Sequence, residues 1–268
     1  MDETTKTIQE YYDTSVEGEW NRIAGRPEFL LTCRMLDRYI KPGQKVLDIG
    51  GGPGRYSLYL AAKGCDITLL DLSPQNTKFA TAQAQEQRLT IKAITGDARK
   101  ADKLTQEKYD HILLMGPLYH LLEESQREEA VNAALKLLKP GGVIYVSFIA
   151  MAGGIIYSMK ESPQILVSTV PSEVQFKENF IAKKSYSGDA FTQAFFIEQS
   201  EVLPFMSRFG LQKMHFFGQE GILSPCENII MQQPEEVVNQ WLDLSEKLWE
   251  REEFLSWSEH LMYVGRKI

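Results

Sequence analysis

Cysteine is scarce in this sequence, and positive charge does not prevail. Three cysteines, Cys33, Cys65 and Cys226, stand far apart. An odd, dispersed set neither completes a disulfide framework nor supplies a metal-type pair, so reduced thiols in a cytoplasmic setting are expected. The 29 Lys and Arg are outnumbered by 36 Asp and Glu, giving a formal net charge of −7. That argues against unassisted binding to nucleic acid, because phosphate contacts need clustered cations. No apolar stretch occupies the first ten residues, so no signal peptide is expected. One uncharged run, Gly141 to Met159, has the length of a membrane span, but four glycines interrupt it. Its first part, Val143 to Ile149, reads as a buried parallel strand, and no membrane association is expected.

What is present is the material of a globular core: 268 residues, 43% hydrophobic and 24% charged. Between Pro42 and Ile149 short apolar runs alternate with longer amphipathic ones. The spacing predicts strands at Lys45–Ile49, Asp66–Leu70, Ile91–Thr95, Tyr109–Met115 and from Val143. Helices are expected at Arg55–Lys63, Gln75–Gln87 and Arg127–Leu138, the last stopped by Lys139-Pro140-Gly141-Gly142. Such alternation implies right-handed crossovers and a parallel sheet with helices on both faces. A helix at Ser200–Phe209, a strand at Leu211–Phe217, helices from Pro234 to Trp249 and a last strand at His260–Arg266 follow. No linker divides the chain, so one domain is expected. Residues 1–41 are expected to be largely helical, 42–150 to form the core, and 151–200 (read as irregular) and 219–258 to be insertions folded over it as a cap.

The strongest local signal is Val46-Leu47-Asp48-Ile49-Gly50-Gly51-Gly52-Pro53-Gly54, a strand running into a glycine turn and a helix. A dinucleotide fingerprint needs a third small residue where Arg55 stands, so that fingerprint is incomplete. Asp48 is a second discriminator. Its carboxylate would repel a pyrophosphate but attract the ammonium group of a methionine moiety. Asp71 ends the second strand, where a carboxylate can accept from ribose hydroxyls, and Leu72 can pack on an adenine face. Gly96-Asp97-Ala98 ends the third, with Asp97 placed to accept from an adenine amino group and the Ala98 backbone to donate to the ring. Asp71 and Asp97 are equally suited to capping the helices that follow them.

These motifs, with Leu138-Lys139-Pro140-Gly141-Gly142 before the fifth strand, resemble the class I S-adenosylmethionine-dependent methyltransferase family over residues 40–150. The resemblance implies a Rossmann-like three-layer α/β/α sandwich with a seven-stranded, mostly parallel sheet whose last strand is antiparallel. Leu211–Phe217 and His260–Arg266 would be its sixth and seventh strands. It also implies S-adenosyl-L-methionine as cofactor, with S-adenosyl-L-homocysteine as product, bound through Asp48, Gly50, Gly51, Gly52, Asp71, Leu72, Gly96, Asp97, Ala98, Met115 and Gly116. The roughly 40 residues between the last two strands replace the tight hairpin of simpler members, which leaves the shape of the substrate side open.

Methyl transfer from a sulfonium needs alignment more than a catalytic dyad. The loop Met115-Gly116-Pro117-Leu118-Tyr119-His120 belongs at the carboxyl edge of the sheet. Tyr119 and His120 are the catalytic candidates, His120 as a base or as a packed helix-start residue. The Gly-Pro-Leu-Tyr-His run resembles small-molecule members and lacks the Asn/Asp-Pro-Pro-Tyr/Phe pattern of amino methylation of macromolecules. Tyr11, Tyr12, Trp20 and Arg22 resemble a helical lid that reaches the methionine carboxylate and sulfonium, with core packing as the ordinary alternative. Arg55 is a further candidate for that carboxylate. The cap's Met, Phe and Tyr residues suggest a partly apolar or aromatic acceptor. Four dispersed histidines without carboxylates at ligand spacing predict no metal. A small-molecule methyltransferase is therefore expected, as a monomer or homodimer. An RNA or protein methyltransferase, a non-catalytic cofactor-binding regulator and an NAD-dependent oxidoreductase are the rivals.

Overall fold

The computed structural model describes residues 2–268. Its nine strands are β1 (Lys45–Ile49), β2 (Asp66–Asp71), β3 (Ile91–Thr95), β4 (Tyr109–Leu114), β5 (Leu138–Ala150), β6 (Tyr186–Asp189), β7 (Gln193–Ile197), β8 (Leu211–Gly218) and β9 (His260–Lys267). The core runs β3-β2-β1-β4-β5-β9-β8. Its first four pairings are parallel, whereas β9 is antiparallel to both β5 and β8. This is the seven-stranded sheet expected. The hairpin β6–β7 adds to it through two residues only, Ile149 and Ala150 of β5, beyond the end of β4.

Strands buried on both faces need helices on both. Leu47, Ile49, Ile112 and Leu114 join one apolar cluster, and Val46, Leu113, Tyr145 and Met262 the other. The alternation is the period-two pattern of a pleated strand. Leu31, Met35 and Leu36 of the helix Pro27–Tyr39 cover the second face, while Ala130, Val131 and Ala134 of the helix Glu124–Leu137 cover the first.

Two expectations need correction. Lys139–Gly142 ends the preceding helix at Leu137 but lies within β5 itself. Leu138 pairs with Tyr109, and the register then slips before Val143 meets His111, so a bulge absorbs the Pro-Gly-Gly segment. Residues 151–200 are not irregular: helices Met151–Glu161 and Pro171–Ile181 precede the hairpin. The buried ring cluster Phe176, Tyr186 and Phe196 organises them, a tertiary contact that local pattern does not reveal. The uncharged run 141–159 is thus split between β5 and a helix. Among the described residues no helix is long and apolar enough to cross a membrane.

Candidate active site

A cavity of about 150 Å³ opens at the carboxyl ends of β1, β2, β3 and β4. The turn after β1 forms its floor. Gly50, at φ +73°, donates its N–H to the Leu70 carbonyl at 2.7 Å, and a Cβ there would stand 2.5 Å from Cδ of Pro117. The β1 and β4 loops therefore touch where only a bare backbone fits. Gly52, at φ +55°, has open space where a side chain would project. Gly51, Leu72, Gly96, Asp97, Ala98, Met115, Gly116, Tyr119 and His120 complete the walls that the sheet supplies.

Two carboxylates of this edge, Asp48 and Asp71, are buried and have no cation paired with them among the described residues. Asp48 is 2% exposed, and its sole side-chain hydrogen bond among the described residues comes from Ser57 Oγ at 2.8 Å. Burial pushes its pKa up to about 7, the Ser57 bond resists, and the Asp71 charge adds to the rise. Asp71 is also raised by burial, though the Ser73 and Gly52 backbone N–H groups and the Asn76 amide all donate to it. Asn76 spends its amide N–H on Asp71, which leaves its buried Oδ1 without a donor. An ammonium at Asp48 and hydroxyl groups at Asp71 and Asn76 would satisfy these atoms. Asp97 is committed otherwise: it caps the turn Ala98–Lys100 and takes two guanidinium N–H groups of Arg99, at 2.9 and 2.6 Å.

The N-terminal helices close the cavity from above. Arg99 reaches Thr5 Oγ1 at 3.0 Å, Ser73 Oγ donates to Asp13, and Tyr12 meets His120. Tyr12 and Arg22 line the cavity, whereas Tyr11 and Trp20 do not. Tyr11 packs edge-on against Tyr12 and near Phe191, and Trp20 lies under the Arg55 guanidinium at 3.7 Å. Arg55 also donates to the Trp20 carbonyl. Arg22 is bound to Glu19 and Glu28, each at 2.9 Å, yet keeps 42% of its side-chain surface accessible on the cavity wall.

His120 is only 8% exposed and both ring nitrogens are occupied. Nδ1 faces the Gln193 carbonyl at 3.1 Å, so it carries the proton, and Nε2 accepts from Tyr12 Oη at 2.6 Å. Burial drives its pKa down to about 4, against the opposing Gln193 contact, so the ring is neutral.

Folding also assembles what sequence spacing concealed. Glu28, Glu220 and His260 bring one ligand-type atom each to within 4.8 Å of one another. They come from the start of a helix, the loop after β8 and the start of β9, and no motif joins them. Asn76, Ser57 and Arg99 are likewise ordinary helix or turn residues whose roles appear only when the strand ends converge.

Residues 46–142 match a family profile described as a methyltransferase domain. The ubiquinone biosynthesis O-methyltransferase of Photorhabdus laumondii is 26% identical over 176 residues, covering 66% of this chain and 65% of that relative's length. The magnesium protoporphyrin IX methyltransferase of Synechocystis, solved with bound S-adenosylhomocysteine, superposes with a TM-score of 0.60 at 13% identity over 99% of this chain and 100% of its own. The cyclase SpnF superposes with a TM-score of 0.61 at 17% identity, over 98% and 96% respectively. Likeness at these identities is a likeness of fold, and one fold carries both kinds of chemistry.

Proposed function

We propose that the chain is a class I S-adenosylmethionine-dependent methyltransferase, a reading that its domain match and its sheet order support, and that it methylates a small molecule held between Tyr119 and the N-terminal helices. It acts as one domain, in which residues 1–41 are the lid and 151–200 and 219–258 the cap. The observation that carries this reading is Asp48, a buried carboxylate with no cationic partner among the described residues, beside the open space at Gly52. A methionine ammonium supplies the missing charge there, and the ribose hydroxyls engage Asp71 and Asn76. Arg22, with donors left over, takes the methionine carboxylate.

When bound, S-adenosylmethionine supplies a methyl group on an already activated sulfonium leaving group. The chain aligns and encloses. Gly50, Gly116 and Pro117 set the floor at which the acceptor approaches, and Tyr12 and His120 hold the lid shut over it and exclude water. Because its Nε2 is already taken by Tyr12, His120 positions the lid and is not a free base. Arg22, Arg55 and Arg99 line the interior together with the carboxylates of Glu19, Glu28, Asp48, Asp71 and Asp97, a mixed lining and not a basic channel, which favours a small acceptor over RNA. Cys33 and Cys65 are buried thiols raised by that burial, in keeping with a reducing cytoplasmic setting.

Calorimetric titration with S-adenosylhomocysteine and with NAD tests the reading. Binding of the first and none of the second is expected; tight NAD binding, or no S-adenosylhomocysteine binding, would overturn it.

A further inference from the structure

The helix Glu235–Leu248 carries two apolar rows where one would seat it. Val238, Leu242, Ser245 and Trp249 form the inner row; all are buried, and Trp249 packs on Phe217 with ring centres 4.2 Å apart. The row one residue earlier, Val237, Trp241, Leu244 and Leu248, repeats the same four-three-four spacing but lies open. Val237, Trp241 and Leu244 are 39%, 40% and 42% exposed, and Leu248 is half-buried. With 3.6 residues per turn the two rows stand about 100° apart, so the outer row does not share the seat of the inner one. The opposite flank of the seat is taken: Asp243 and Glu246 pair with Arg34, and Glu246 with Arg38, of the helix Pro27–Tyr39.

We propose that the outer row docks a second copy of this chain, the two helices lying antiparallel across a twofold axis. None of its residues lines the cavity, and the inference does not depend on the methyltransferase reading. Four-three-four spacing is the pattern by which one helix seats against another, because side chains three and four apart line one ridge. Trp241, in the middle of the row, is the residue type that anchors interfaces. An antiparallel twofold sets it against Leu244 of the second copy, and Val237 against Leu248, so both ends of the row are covered.

The charges select both the partner and the direction. Glu236 near the start of the helix and Lys247 near its end are exposed on the solvent side of the row, with the uncharged Gln240 between them. Neither makes an ion pair among the described residues, whereas Asp243 and Glu246 on the far flank do. Antiparallel, each Glu236 comes beside Lys247 of the other copy, and the axis repeats the pair. Parallel, Glu236 would face Glu236 and Lys247 would face Lys247, an arrangement that like charges oppose. A row that is apolar along its centre and carries the complement of its own charge on its rim is self-complementary, which an isologous contact requires.

Sedimentation velocity of the full chain from about 1 to 100 μM is expected to show monomer passing into dimer. Trp241→Glu should weaken that association about 100-fold or more, with the circular dichroism of the dilute protein unchanged. Glu236→Lys and Lys247→Glu alter only exposed charges, and each should weaken it about tenfold. An equimolar mixture of those two variants should form a mixed dimer, and the double variant carrying both changes should regain native association. A chain that stays monomeric, a dimer indifferent to Trp241→Glu, or charge reversals without effect would overturn the proposal. So would binding of a monomeric chain to phosphatidylcholine–phosphatidylglycerol vesicles that Trp241→Glu abolishes, since the row would then belong to a lipid surface.

Discussion

Tyr12 Oη donates to His120 Nε2 at 2.6 Å, a bond that joins the first helix of the chain to the loop after β4 across 108 residues. The opposite nitrogen of the same ring donates to Gln193 of β7. One neutral imidazole thus ties lid, sheet edge and hairpin together. Tyr12→Phe removes the donor and leaves a buried acceptor unmet, which costs about 1–3 kcal/mol. His120→Ala removes the same bond from the other side. Urea unfolding of both single variants and the double variant should give a coupling of about 0.5 kcal/mol or more. Strict additivity would show that the contact carries no energy.

Cofactor affinity should depend on pH through Asp48. Its folded pKa of about 7 lies above the ordinary value of 3.8, so the ligand-free protein loses stability as pH rises between the two. The ammonium of a bound cofactor needs the ionised form. S-adenosylhomocysteine affinity should therefore fall as pH drops below about 7, by up to tenfold per unit. Ser57→Ala deletes the hydrogen bond that opposes the rise and should move the midpoint to higher pH. Calorimetry at several pH values reads both effects; a flat profile would detach Asp48 from the ammonium.

The contrast between Asp48 and His260 explains how much the sequence discloses. Asp48 to Gly54 is one continuous segment, so strand, turn and helix start could be read together, and the alternation around it announced a parallel sheet with helices on both faces, though not the order of its strands. Asp71 fell at the end of a legible strand for the same reason. His260 and Glu220 are 40 residues apart on either side of an insertion, and their meeting depends on how β8 and β9 pair. His120 had a suggestive position, but its chemistry was set by Tyr12 and Gln193, which no local pattern connects to it. Tyr11 and Trp20 were sensible aromatic candidates. Helix phase, unreadable without the packing partner, turned them towards Phe191 and Arg55 instead.

Gly52→Val and Asp71→Ala separate space from charge at the cofactor site. At φ +55° a valine is strained, and its side chain enters the open space above the turn. Asp71→Ala deletes the acceptor of the Gly52, Ser73 and Asn76 donors. Each should weaken S-adenosylhomocysteine binding about tenfold or more, roughly the 1.4 kcal/mol of one good hydrogen bond. Unchanged affinity in both would move the site elsewhere.

Two histidines should bound the stability of the ligand-free protein from opposite sides. His120, with a folded pKa of about 4, is held below the usual histidine value, so its contribution is present above about 6.5 and is lost as pH falls through about 4. His260, raised to about 9, contributes fully below about 6.5 and loses that contribution as pH climbs through about 9. Each pKa unit of displacement corresponds to about 1.4 kcal/mol. Urea titrations from about pH 4 to 10 should thus show an alkaline loss through His260, whereas at the acid end the His120 loss runs against the stability that Asp48 regains below about pH 7, so each histidine is read from the difference between native and variant profiles. His120→Asn should soften the acid loss alone, and Glu220→Gln the alkaline loss alone. If either substitution altered the opposite limb instead, the assignment of charge states to the two rings would be reversed.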